Sequence, residues 1–188
     1  AVVFYTSGTT DRPKGVTLTR GAVANNISKS RAVLRLQPTD VTLIAAPCSR
    51  PMALWTQLLS SLNAGATVIL QSSFDPDSYI QTLEKSHPTF IALLPTGLRK
   101  LLFHPELTSE HLKQVRLCIC GGDTVPDDLF ERFHELTGLE ITEQAGMTET
   151  GMYAINPPYG RKARGAAGLP YYGVQVTVMD DQNNDVPW

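Results

Sequence analysis

This 188-residue chain predicts an α/β fold, a mostly parallel sheet with helices on both faces. Two observations carry that expectation. Short, continuous apolar runs recur along the chain, and segments with apolar residues three and four apart separate them. Strands that are apolar on both faces belong to parallel sheets covered on both sides, and alternation with helices supplies the crossovers. A third observation, the change of texture after Gly151, predicts the beginning of a small antiparallel β subdomain. The chain is therefore divided at 1–150 and 151–188.

The elements follow in order. Ala1–Tyr5 is a strand, followed by a Gly/Thr-rich loop and a second short strand over Gly15–Thr19. Val23, Ile27 and Leu34 mark a helix over Gly21–Leu36, and Val41–Ala46 is a buried strand stopped by Pro47. Met52, Trp55, Leu58, Leu59 and Leu62 form one face of an amphipathic helix that Asn63 and Gly65 end. Ala66–Leu70 is a strand. Asp75-Pro76 caps the next helix, with Tyr79, Ile80 and Leu83 inward and His87-Pro88 as its stop. Phe90–Leu94 is a strand, and Thr96 caps a helix with Leu98, Leu101 and Leu102 inward. Val115–Cys120 is a strand ended by Gly121-Gly122; Thr124 caps a helix bearing Leu129, Phe130, Phe133 and Leu136 that Gly138 closes. Leu139–Glu143 ends the series. Beyond it lie a loop at Asn156–Gly160, basic residues at Arg161, Lys162 and Arg164, and an alternating strand over Val174, Val176 and Val178.

Composition excludes several classes. Hydrophobic residues make up 42% and charged residues 18%, which suits a folded, well-buried chain. Sixteen Lys+Arg against eighteen Asp+Glu give a net charge of −2, which removes the electrostatic case for nucleic acid as a partner. The longest uncharged stretch, Pro51–Phe74, is too rich in Ser, Thr, Gln and Asn for a membrane span. Three cysteines cannot form a complete disulfide framework, and Cys48, Cys118 and Cys120 are expected to be buried small hydrophobes in a reducing compartment. No targeting segment is evident, so a cytoplasmic location is expected.

Three segments carry chemistry. Tyr5-Thr6-Ser7-Gly8-Thr9-Thr10-Asp11-Arg12-Pro13-Lys14-Gly15 offers hydroxyls, a flexible backbone and one lysine, the donors and point charge that a polyphosphate needs. It is not a Walker A loop, because Pro13 and Gly15 flank the lysine. Glu143–Thr150 follows a strand, and within it Glu149 suits Mg²⁺ and the threonines suit phosphate oxygens. Gly121-Gly122-Asp123 permits close approach of a flat ligand. Each segment taken alone reads more readily as a polar turn.

Taken together, in this order and spacing, the three segments resemble the adenylate-forming (AMP-binding) superfamily: acyl-CoA synthetases, nonribosomal-peptide adenylation domains and beetle luciferases. Tyr5–Gly15 resembles its phosphate-binding signature, Ala145–Glu149 its aromatic-Gly-x-Thr-Glu motif, and Gly165–Pro170 its Gly-x-x-Gly-x-Pro segment. Gly146–Met152 is especially similar to bacterial acyl-CoA synthetases, including malonyl-CoA synthetase-like members.

The resemblance implies a two-step ligase. A small-molecule carboxylate attacks the α-phosphate of ATP, pyrophosphate leaves, and coenzyme A takes the acyl group from the adenylate. It implies that Thr6, Ser7, Gly8, Thr9, Thr10 and Lys14 hold the β- and γ-phosphates. Thr148 would contact the α-phosphate and Glu149 would hold Mg²⁺, and Lys14, Thr148 and Glu149 would be the catalytic set. Gly121, Gly122, Asp123, Ala145, Gly146 and Met147 would lie along the nucleotide. Arg50 and Gln144 would face the acyl group.

Four residues depart from the family pattern. Asp11 replaces a usual Gly, Ala145 replaces the aromatic that stacks on adenine, and Arg50 replaces a usual His. Gln144 stands where malonate-specific members carry Arg, which argues against malonate. The resemblance further implies a central part of a longer enzyme, inactive by itself. A second reading is a non-catalytic domain on the same fold that binds a nucleotide or a partner without turnover.

Overall fold

The computed structural model describes residues 2–6 and 13–186. β1 (Val2–Thr6) and β2 (Lys14–Leu18) form an antiparallel ribbon in which Thr6 pairs with Lys14. α1 (Arg20–Leu34) follows directly. Thr19 caps it by accepting the Ala22 amide at 3.1 Å, and Arg35 ends it in the left-handed region.

A seven-stranded sheet forms the centre, in the order β4-β3-β5-β6-β7-β8-β9. β3 (Val41–Ile44), β4 (Thr67–Leu70), β5 (Phe90–Leu93), β6 (Leu117–Gly121) and β7 (Thr142–Met147) run parallel. β8 (Gly151–Ile155) and β9 (Leu169–Pro170) complete it antiparallel. The sheet therefore agrees with the expected mostly parallel architecture, and its C-terminal part is antiparallel.

Each face of the sheet carries its own core. On one face α3 (Pro76–Ser86), α4 (Pro95–Leu102), α5 (Ser109–Leu112) and α6 (Asp127–Thr137) bury Tyr79, Leu83, Leu98, Phe130 and Phe133 against Ile91, Cys118 and Cys120. On the other, Phe4, Leu34, Trp55 and Met152 pack on Phe90, Ala92 and Ile119. Phe4 meets Trp55 edge to face, with ring centroids 4.9 Å apart.

Several local features differ from the sequence expectations. Met52–Leu59 is π-helical and runs into α2 (Ser60–Ala64). Apolar spacing sets a helical face without distinguishing π from α, and wide turns of this kind concentrate at functional sites. Thr96 does not cap α4: the helix starts at Pro95 after Leu94, because proline needs no cap for its missing N–H. Thr124 does not cap α6 either: the helix begins three residues later at Asp127, with Pro126 in the cap position and no side-chain cap bond. The expected strand over Leu139–Glu143 begins only at Thr142 and runs on to Met147, so the Ala145-Gly146-Met147 motif is strand and only Thr148–Thr150 is turn. Gly151, at φ 73°, reverses the chain into β8, which continues the main sheet. Val174, Val176 and Val178 lie outside any strand. Alternation needs an edge to pair with, and the pairing nearby is the single bridge Met179–Asp185. Cys118 and Cys120 are buried free thiols, but Cys48 is only half-buried.

Candidate nucleotide-binding site

The sheet brings two of the sequence motifs to one end. The loop after β6 and the β7–β8 turn both follow the carboxyl ends of adjacent parallel strands, where ligands of open α/β sheets bind. Thr6 and Lys14 sit opposite each other in the ribbon. Ser7, Gly8, Thr9, Thr10 and Asp11 lie outside the described residues. Lys14 is exposed and Thr6 half-buried. Thr148 is half-buried, and Glu149 and Thr150 are exposed on the β7–β8 turn.

A cavity of about 280 Å³ lies beyond β6 and β7. Its walls include Gly121, Gly122 and Asp123 on one side, Gln144, Ala145 and Gly146 on another, and Gly165–Ala167 on a third. Five of the residues expected along the nucleotide, and Gln144, are thus gathered around one space. Met147, at the end of β7, is half exposed and outside this lining.

Two glycines make the cavity possible. A Cβ on Gly121 would stand 2.1 Å from the Gln144 carbonyl oxygen, so β6 and β7 approach this closely only with glycine there. Gly168, at φ 91°, would drive a Cβ to 2.1 Å from the Ile155 carbonyl carbon. That contact sets the return of the Gly165–Pro170 segment against β8.

The floor holds a residue that sequence reasoning left without a role. Glu143 is buried, and its Oε2 accepts bonds from Asn156 Nδ2 at 3.0 Å and the Gly165 amide at 3.1 Å. Burial pushes its carboxyl above the ordinary value. The Gly165 and Asn156 donors pull against that, and the charge of Asp127 adds to it. The signal in the sequence was present, a carboxylate at the end of the expected Leu139–Glu143 strand, but nothing there tells which face of β7 it occupies.

Gln144 turns to the opposite side. It is buried, and Nε2 donates to Thr56 Oγ1 of the π-helix at 3.1 Å, while Oε1 has no partner among the described residues. Both amide atoms of Gln57, also buried, have none among them either. Arg50 is exposed and precedes the same helix, with its carbonyl accepting the Leu54 amide. Thr56 of the π-helix thus meets Gln144 of β7 in a buried polar contact.

Other polar clusters read as structural. A cavity of about 400 Å³ at the N-terminal ends of the strands is lined by Arg116, Lys162 and Arg164. Arg116 pairs with Asp40, Arg164 with Glu140, and Lys162 donates to the Glu140 carbonyl, so each cation is committed. His104 faces Asp77 and Glu106, but its Nδ1 accepts the Glu106 amide, which leaves Nε2–H to meet Asp77. No helix among the described residues is long and apolar enough to cross a membrane.

Comparison with known proteins decides the family. The AMP-binding enzyme family matches residues 1–188. The chain belongs to that family. A feruloyl-CoA synthase from Amycolatopsis is 33% identical over 188 residues, covering 99% of this chain and 38% of that protein. An indoleacetate–CoA ligase from Aromatoleum aromaticum is 31% identical, covering 98% and 36%. Among solved structures, ATP-bound MatB from Rhodopseudomonas palustris superposes with a TM-score of 0.91 at 32% identity, over 98% of this chain and 37% of that one. The anthranilate CoA ligase AuaEII in complex with anthranoyl-AMP gives 0.89 at 26%, over 98% and 36%. The chain spans somewhat over a third of the length of these relatives.

Proposed function

We propose that this AMP-binding chain is the nucleotide-holding part of an ATP-dependent acyl-CoA synthetase, which adenylates a carboxylic acid with release of pyrophosphate and passes the acyl group to coenzyme A. One observation carries the reading: a cavity between β6, β7 and the Gly165–Ala167 segment gathers the glycine loop, the strand motif and a buried carboxylate at one end of a parallel sheet.

In this reading the adenine base lies against Gly121–Asp123 and Ala145-Gly146, with less stacking area than an aromatic at 145 would give. Glu143 accepts the exocyclic amine of the base. Thr6 and Lys14, paired across the ribbon, anchor the phosphate loop that also carries Ser7, Gly8, Thr9 and Thr10. Thr148 meets the α-phosphate. Glu149, exposed on a turn and without an ion-pair partner among the described residues, suits a hard divalent cation. Mg²⁺ held there would neutralise phosphate charge, while the chain's own groups position the attacking carboxylate in line. Gln144 and Arg50 face the acyl side.

Names of the relatives support an acid–thiol ligase. The test is acid-dependent exchange of labelled pyrophosphate into ATP, run on the complete reading frame that contains this chain with a panel of aryl and alkyl acids. Exchange with at least one acid, abolished by Glu149→Ala, is the expected result. ATP binding without exchange for any acid would favour the non-catalytic reading.

A further inference from the structure

Asn156 is the most heavily bonded side chain around the nucleotide cavity, yet it does not line it. It sits one residue past β8 and is 2% exposed. Its Nδ2 lies within hydrogen-bond distance of Glu143 Oε2 at 3.0 Å, the Ala163 carbonyl at 3.0 Å and the Ala166 carbonyl at 2.9 Å. Its Oδ1 accepts the Ala163 amide at 3.1 Å, and its own amide donates to the Glu143 carbonyl at 2.9 Å. One amide thus joins the floor of the cavity, on β7, to the loop that forms its outer wall.

We propose that Asn156 is a positioning residue for the nucleotide: it aims the Glu143 carboxylate and holds the Ala163–Ala166 backbone at a fixed distance from β7. The inference rests on the proposed nucleotide site. Its physical basis is the geometry of the amide group. A planar primary amide offers two donors and an acceptor in fixed directions, so it can bridge a carboxylate and a loop backbone at once. Both donors are committed here, and the carboxylate's Oε2 is saturated by Asn156 and Gly165. Oε1 of Glu143 receives no hydrogen bond from the described residues and is left for a donor in the cavity.

Among the described residues, Asp127 at the start of α6 acts on the charge of Glu143, which in turn raises the Cys120 thiol on β6; Asp123 and Tyr153 line the same space. Lys162 and Arg164, on the loop itself, are directed to Glu140. Removing the Asn156 donor takes away one of the two bonds that favour the ionised carboxylate. Glu143 should then hold its proton about fivefold more tightly, the worth of one such bond.

The experiment compares wild type, Asn156→Ala, Asn156→Asp, Glu143→Gln and the Asn156→Ala/Glu143→Gln double variant, all in the complete reading frame. Two readouts are taken: KM for ATP across pH, and the Glu143 titration followed by carbon-13 NMR of the glutamate carboxyls. Expected are a KM for ATP raised about tenfold in Asn156→Ala with kcat little changed, and an acidic limb displaced to higher pH. Asn156→Asp keeps the acceptor for Ala163 but sets a second carboxylate beside Glu143, so its loss should grow as pH rises. In the double variant the Asn156→Ala effect should largely vanish.

Additive losses with an unmoved Glu143 titration would overturn the proposal and leave Asn156 a structural residue only. A displaced titration in a protein that binds no ATP would uphold the coupling of the two side chains and overturn the nucleotide reading. Should Asn156→Ala fail to fold, Asn156→Asp and its pH-dependent loss decide the matter alone.

Discussion

Arg116 Nε donates to Asp40 Oδ1 at 2.7 Å, and this pair ties together the starts of three parallel strands. Asp40 precedes β3, Arg116 precedes β6, and Thr89, just before β5, donates to the same carboxylate at 2.8 Å. The Arg116 guanidinium also reaches the Leu34 and Arg35 carbonyls at the end of α1 and the Tyr159 hydroxyl. The asymmetry of such pairs sets the expectation: Arg116→Met should destabilise by about 3 kcal/mol or more, because it strands a buried carboxylate. The Asp40→Asn/Arg116→Met double variant should cost clearly less. Urea unfolding at neutral pH measures both.

The same pair gives a pH dependence. Burial alone would raise the Asp40 carboxyl, but the bonds from Arg116, the Gln37 amide and Thr89 outweigh it and hold the group below its ordinary value. Its contribution is therefore complete above about pH 4, the ordinary value for the unfolded chain, and is lost as pH falls through the folded value. Asp40→Asn should flatten the acid side of the stability profile; a profile unchanged from wild type would contradict this.

Gly121→Ala tests the close approach of β6 and β7. A methyl group 2.1 Å from the Gln144 carbonyl oxygen forces the strands apart at the cavity rim. A loss of about 3 kcal/mol is expected, with nucleotide binding lost even where the fold survives in the cold. Thermal unfolding and ATP binding measured on the same sample separate the two effects.

Thiol chemistry reports on the sheet. Burial raises the Cys118 thiol well above its ordinary value and pushes Cys120 up to about 12, whereas Cys48 is only half-buried. A thiolate-selective reagent at neutral pH should modify Cys48 alone in the native chain and all three on unfolding. Rapid native labelling of Cys118 or Cys120 would contradict the buried position of β6.

The acyl side is tested at Gln144. Its Oε1, without a partner among the described residues, and the Thr56 bond lie on the face of β7 away from Glu143. Gln144→Leu should change KM for the carboxylic acid about tenfold while leaving KM for ATP nearly unmoved. Equal changes in both would contradict the assignment of the two faces.

Much of this was legible in the sequence, for definite reasons. Buried strands such as Phe90–Leu93 and amphipathic helices such as α6 announce themselves by composition and period, and Asp75 caps α3 as its side chain demands. The caps at Thr96 and Thr124 were misleading because Pro95 and Pro126 start or precede those helices without a side-chain partner. The π-helix was invisible, since its apolar face has the spacing of any helix. Glu143, Gln144 and Asn156 could be read only once β7 and β8 were paired. A strand's two faces carry different chemistry, and the register that separates them is set by tertiary contacts.

The most direct test of the central claim is calorimetric titration of Mg·ATP into the protein, beside Lys14→Ala and Glu149→Ala. Saturable binding is expected, weakened about tenfold or more by each substitution, since Lys14→Ala removes a charge partner of the phosphates and Glu149→Ala removes the ligand of the Mg²⁺ that bridges to them. A folded sample that binds no ATP, or binds it equally well in all three forms, would contradict it.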